Sequence, residues 1–172
     1  MIFEIHITGS LNIHNVCKTL GVKTIAVELL KPDGSILYIE DMTSFIFKGS
    51  EVDMYERVLS LVGDLSRNRV VIDRIKVETP YVGYEHLIPK SKYMETHFKC
   101  GERIVEDERF ILPTSRNIEK TSYLATDRVY DSSKYQDFYE KYKDNELQLC
   151  IFDSNVNQDK EWFDLYTKVN KQ

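Results

Sequence analysis

The chain opens on an alternation of period two. Over residues 2–8, Phe3, Ile5 and Ile7 fall on one side and Glu4, His6 and Thr8 on the other, the pattern of a strand with one apolar and one polar face. Asn12 then stands ahead of Ile13, Val16, Cys17 and Leu20, which share one side of a short helix that Gly21 stops. Residues 23–30 read as a buried strand, Pro32-Asp33-Gly34 is turn chemistry, and residues 36–39 return as a third strand. Residues 42–50 are less regular. Ser50 caps the strongest helix, with Val52, Tyr55, Leu59, Val62 and Ser66 along one stripe that Val58 and Leu65 widen. Residues 70–79 alternate again, Val71, Ile75 and Val77 against Arg74, Lys76 and Glu78, before Pro80.

The order βαββαβ over residues 1–80 predicts a ferredoxin-like lobe. Residues 81–92 read as a linker. Residues 93–172 begin a second α+β lobe on a similar strand, where Met94 and Phe98 oppose Glu95, His97 and Lys99. Strands are expected over 109–113, 122–128 and 147–152. One helix is expected from Ser133, with Tyr135, Phe138, Tyr139 and Tyr142 at i, i+3, i+4 and i+7. A last one runs from Asn157 through Trp162, Phe163, Tyr166 and Val169. The expected fold is therefore α+β: two pseudo-symmetric ferredoxin-like lobes sharing a core in one compact unit.

Composition narrows the class. At 172 residues, 42% hydrophobic and 30% charged, the chain is long enough to bury a core without metal or disulfide staples. Its 23 basic and 28 acidic side chains leave a net charge of −5, which disfavours duplex nucleic acid, because phosphate contacts need clustered Lys and Arg. Cys17, Cys100 and Cys150 lie far apart with no metal spacing, and no run approaches the roughly 18 apolar residues of a membrane helix. With no basic-then-apolar leader at the start, a cytoplasmic protein is expected, with no membrane partner.

The candidate chemistry lies in a repeat. Glu4-Ile5-His6-Ile7-Thr8 and Glu95-Thr96-His97-Phe98-Lys99 match at Glu and His, each His followed by an apolar residue. Period two puts Glu, His and Thr or Lys on one face in both strands. This Glu-x-His repeat at lobe spacing, with His6-Ile7-Thr8 as a His-x-Thr strand, resembles the two-histidine (2H) phosphoesterases. That resemblance implies His6 and His97 as a general acid and base on a phosphodiester in a shared cleft, with the Thr8 hydroxyl on the phosphate and no metal or other cofactor. His97-Phe98-Lys99 departs from the motif, since lysine is a charge and not a hydroxyl, and this favours anion binding over catalysis. A second resemblance, spread over Gly21-Val22-Lys23, Asp41-Met42-Thr43-Ser44, Lys48-Gly49-Ser50, Lys76-Val77-Glu78, Ser115-Arg116-Asn117 and Phe152-Asp153-Ser154-Asn155, is to uncharacterised bacterial and tailed-phage proteins. For a phage protein the location would be the host cytoplasm.

Thr43 and Ser44 ahead of a helix, Arg116 in a polar loop, and Arg74, Lys76 and Lys99 complete the expected ligand-binding rim. His14 and His86 receive no role. P-loop, dinucleotide-fold, zinc and nucleophile-elbow motifs are absent from the sequence. The expected function is a 2H-like protein that binds, and in its catalytic form cleaves, a cyclic or short oligonucleotide phosphodiester. The alternatives are a non-catalytic protein that sequesters the nucleotide, as a phage counter-defence would, or a structural and interaction module.

Overall fold

The computed structural model describes residues 1–100, 104–106, 109–111 and 114–170. Ten strands and four α-helices are described: β1 (Ile2–Gly9), α1 (Ile13–Leu20), β2 (Thr24–Leu30), β3 (Ile36–Lys48), α2 (Glu51–Arg67), β4 (Ile72–Pro80), β5 (Tyr93–Cys100), β6 (Ile104–Glu106), β7 (Arg109–Ile111), β8 (Ser115–Asn117), β9 (Ser122–Val129), α3 (Tyr135–Tyr142), β10 (Leu147–Asp153) and α4 (Asn157–Asn170). Eight of the strands close an antiparallel barrel in the order β1-β3-β2-β8-β9-β5-β10-β4, while β6 and β7 form a separate hairpin.

This corrects the expected architecture. The molecule is one closed barrel, not two ferredoxin-like lobes facing each other across a cleft. Two seams make the difference: β4 pairs with β10, Gln148 opposite Pro80 and Asp153 opposite Lys76, and β2 pairs with β8, Val27 opposite Asn117. A separate lobe would leave these strands as bare edges, whose backbone groups need partners; closure satisfies them. Read outward from the β4/β10 seam, the strand orders are β4-β1-β3-β2 on one side and β10-β5-β9-β8 on the other. β1 and β5 therefore occupy equivalent places. The second half has the β6–β7 hairpin where the first has α1.

The apolar core lies outside the barrel wall. Phe3, Ile5 and Ile7 of β1 and Ile75 and Val77 of β4 are buried beneath Ile13 and Cys17 of α1 and Met54, Val58, Leu61, Val62 and Leu65 of α2. The alternation of β1 thus sends its apolar face to the helices and its polar face inward. Ser50 caps α2 by accepting from the Asp53 backbone N–H at 3.0 Å, and Gly21 ends α1 at φ 72°, a left-handed conformation that favours glycine. The buried stripe of α2 is rotated from the expected one: Val52 is exposed and Leu59 only half-buried, because Met54 and Leu61 take the central contacts.

Other boundaries also differ. Residues 36–48 form one thirteen-residue strand, not a short strand and an irregular stretch. Inside the 81–92 linker, Glu85–Lys90 is a 3-10 turn. The polar loop expected at residues 114–117 contains β8, whose few hydrogen bonds to β2 help close the barrel. The strand expected over 109–113 appears as β7, and Leu112 and Pro113 lie outside the described residues. No helix among the described residues is long and apolar enough to cross a membrane.

Candidate functional site: the barrel lumen

The inward faces of the strands enclose a cavity of about 580 Å³. Eight strands leave an interior just wide enough for side chains or one small ligand, and this volume falls in the small-ligand range of roughly 300–1,000 Å³. One wall is apolar, from Ile25, Val27 and Leu29 of β2, Met42 of β3 and Leu124 of β9. The opposite wall is polar and carries Glu4, His6 and Thr8 of β1, Arg74, Lys76 and Glu78 of β4, His97 of β5, Thr126 and Arg128 of β9 and Gln148 of β10.

Both histidines of the repeat thus open on one cavity. Each ring lies beside the glutamate two residues before it: His6 Nε2 is 3.5 Å from Glu4 Oε1, and His97 Nε2 is 3.4 Å from Glu95 Oε1. Each also sits opposite a hydroxyl residue on the neighbouring strand, His6 opposite Ser44 and His97 opposite Thr126. His97 Nδ1 is 2.7 Å from Thr126 Oγ1, which occupies that ring nitrogen and leaves Nε2 toward the carboxyl groups. Glu78 links the two rings: its Oε2 is 3.1 Å from His6 Nε2, and it forms a second compact cluster with Glu95 and His97.

Four side chains at equivalent places tie the halves together. Glu4 faces Glu78 across β1–β4, and Glu95 faces Gln148 across β5–β10. Between the halves, Gln148 Nε2 donates to Glu4 Oε2 at 2.6 Å, and carboxyl oxygens of Glu78 and Glu95 lie within 4.8 Å of each other. Lys76 lies against this pair, with Nζ 2.6 Å from Glu78 Oε1 and donating to Glu95. Arg128 donates to Glu95 Oε2 from Nε at 2.8 Å and Nη2 at 2.5 Å. Arg74 grips Asp153 with two bonds of 3.0 and 2.6 Å, and Tyr93 donates to the same carboxylate at 2.5 Å.

These contacts set the protonation of the wall. Burial pushes the Glu78 carboxyl up, and the neighbouring Glu95 carboxylate adds to the rise. Burial acts the same way on Glu95, but the neighbouring Glu78 and His97 and the charges of Lys76 and Arg128 outweigh it and hold Glu95 well below the carboxylate range. Burial also raises Glu40 at the lumen rim. Lys76 stays charged, since the two glutamates overcome the burial that opposes its charge.

Of the residues expected from the sequence, His6, Thr8, His97, Arg74, Lys76 and Ser44 meet in the lumen. The rest lie elsewhere. Thr43 points out of the wall, fully buried under α1, and donates to the Lys23 carbonyl at 2.7 Å, because its parity on β3 is opposite to that of Ser44. Arg116 is on the outer face of β8, 3.5 Å from Glu28 and over the Tyr123 ring. Lys99 shares the His97 face of its strand but is exposed and outside the cavity lining. His14, given no role, bridges Thr24 and Asp41 at 2.7 Å each and ties α1 to β2 and β3.

The sequence reading gave no role to Glu78, Glu95, Glu4, Thr126, Arg128 or Gln148. The glutamates were present in the alternation of β1, β4 and β5, whereas Thr126, Arg128 and Gln148 reach the site only through strand pairings that local pattern does not encode. Comparisons of the chain with protein-family models, curated proteins and solved structures find no match.

Proposed function

We propose that the lumen binds a small nucleotide through its phosphodiester and that His6 and His97 are the acid and base that cleave it. The observation that carries this reading is the convergence of two imidazoles, from equivalent strands, on one cavity with an apolar wall opposite. In the reaction, one ring takes a proton from water as the water oxygen bonds to phosphorus, and the other gives its proton to the leaving oxygen as the P–O bond breaks. Thr8 supplies a hydroxyl on the first side. Thr126, beside His97, supplies the hydroxyl that position 99 lacks. The apolar wall of Ile25, Val27, Leu29, Met42 and Leu124 accommodates the base.

A second reading, in which the nucleotide is held but not cleaved, is favoured by one feature: Arg74, Lys76 and Arg128 each already hold a carboxylate, so none is a free phosphate clamp. The test is a thermal-shift screen of the whole chain against mononucleotides, cyclic nucleotides and short oligonucleotides, followed by product analysis with a chelator present. A ligand that stabilises the wild type raises its melting temperature. Cleavage lost in both His6→Ala and His97→Ala supports the catalytic reading, and binding without cleavage supports the second. If no nucleotide stabilises the protein, both fail.

A further inference from the structure

We propose that Glu78 stands in the lumen as an uncharged carboxylic acid sharing one proton with Glu95, and that this proton is what lets the lumen accept an anion. The first clause rests on two buried carboxyl groups brought within 4.8 Å of each other; the second rests on the phosphodiester reading above.

The argument starts from the two equivalent pairs. Gln148 and Glu78 occupy matching places, each opposite the glutamate of a Glu-x-His strand. Gln148 reaches across to the other half and donates an amide N–H to Glu4. Glu78 reaches across in the same way, to within 4.8 Å of Glu95. Two carboxylates buried this close repel each other, and a proton on one of them relieves the repulsion and lets the pair close as Gln148 and Glu4 do. The surroundings choose which. Glu95 takes two bonds from Arg128 and one from Lys76 and adjoins His97, all of which favour its charge. Glu78 is 1% exposed and shares only Lys76 and His6. Glu78 is then the donor and plays the part of a glutamine, matching Gln148 in shape and hydrogen-bond sense. The titratable groups facing it are Glu4 and His6 from β1, Lys76 from its own strand, Glu95 and His97 from β5, Cys150 from β10 and, through Glu95, Arg128 from β9.

The consequence is electrostatic. In and around the lumen Arg74, Lys76 and Arg128 face Glu4, Glu40, Glu78, Glu95 and Asp153. With every carboxyl ionised the anions outnumber the cations and a phosphodiester is repelled. With Glu78 neutral the excess of anions falls from two to one, and burial works against the charge of Glu40 as well, so the anion meets a weaker repulsion beside His6 and His97. Raising the pH far enough to ionise Glu78 closes the lumen to anions.

Two measurements test this. Infrared spectra of the whole chain at neutral pH should contain a protonated-carboxyl C=O band that survives Glu40→Gln and vanishes in Glu78→Gln. Absence of the band in the wild type, or its survival in Glu78→Gln, overturns the shared proton. Should Glu78→Gln fail to fold, the wild type decides: with 13C-labelled glutamate carboxyls, one resonance that Glu40→Gln leaves in place keeps its protonated shift at neutral pH, or the proposal falls.

The anion clause is read with 3′,5′-cyclic AMP as probe. Wild-type affinity should fall by up to about tenfold per pH unit as Glu78 ionises, and Glu78→Gln should be flat over that window. Equal pH slopes in the two proteins overturn the role given to the proton. A wild type that shows the infrared band but binds no cyclic nucleotide at any pH refutes the lumen reading and this role with it, while the shared proton stands.

Discussion

Removing Glu95 should cost far more stability than removing Glu4, although both begin a Glu-x-His strand. Glu95 is fully buried, its oxygens receive two bonds from Arg128 and one from Lys76, and the Glu78 carboxyl lies within 4.8 Å. Truncation to alanine leaves Lys76 with only Glu78 and Arg128 with no carboxylate among its described contacts. Breaking a buried pair by removing one partner costs about 3–5 kcal/mol. Arg128 retains 30% exposure and Lys76 keeps a second carboxylate, so the lower end applies, about 3 kcal/mol. Glu4 is 32% exposed and receives the Gln148 amide, with His6 at 3.5 Å. Its loss should cost about 0.5–1.5 kcal/mol, the worth of an ordinary hydrogen bond. For a chain of this size a 3 kcal/mol loss lowers Tm by roughly 6–12 °C. Urea denaturation of wild type, Glu95→Ala and Glu4→Ala, fitted with a common slope, measures both losses. The reasoning is refuted if Glu95→Ala costs under about 1 kcal/mol, or no more than Glu4→Ala, since the cluster would then be hydrated and not buried.

Three further outcomes follow from the same geometry. Leu61→Ala, at the centre of the α2 stripe and 1% exposed, should cost about 2–5 kcal/mol, while Leu59→Ala should cost clearly less; equal losses in denaturation would show that the stripe is misplaced. Stability should fall on both sides of a mid-range optimum. The raised Glu78 contributes stability that is full below its ordinary value of 4.5 and lost as pH rises through its folded value, and the lowered Glu95 contributes stability that is lost as pH falls below 4.5. Melting curves of Glu78→Gln should flatten the first limb and those of Glu95→Gln the second; an unchanged limb in either variant contradicts its assignment. Finally, a thiol reagent on the native protein should modify Cys100 before Cys17 and Cys150, which are fully buried and whose thiols burial pushes up; mass spectrometry showing early labelling of Cys150 would mean the wall opens at β10.

Much of the local structure was legible in the chain. The period-two pattern of Phe3, Ile5 and Ile7 against Glu4, His6 and Thr8 determined which side chains of β1 share a face, and the same holds for β4 and β5. Ser50 and Gly21 marked helix ends for stereochemical reasons that need no tertiary contact. The Glu-x-His repeat placed both histidines on polar faces. What lies beyond such a face is a different matter, because alternation separates two sides without saying what fills either. A strand edge is likewise indifferent in sequence to whether water or another strand satisfies its backbone. The seams β4–β10 and β2–β8 join segments about seventy to ninety residues apart, and no local pattern encodes them. Only the closed barrel turned the polar faces inward, set Gln148 against Glu4 and Glu78 against Glu95, and put Thr43 and Arg116 outside the wall. Burial then sets the chemistry: removed from water and brought within 4.8 Å, two carboxyl groups that would each be ionised on a surface are pushed apart in acidity, Glu78 up and Glu95 down.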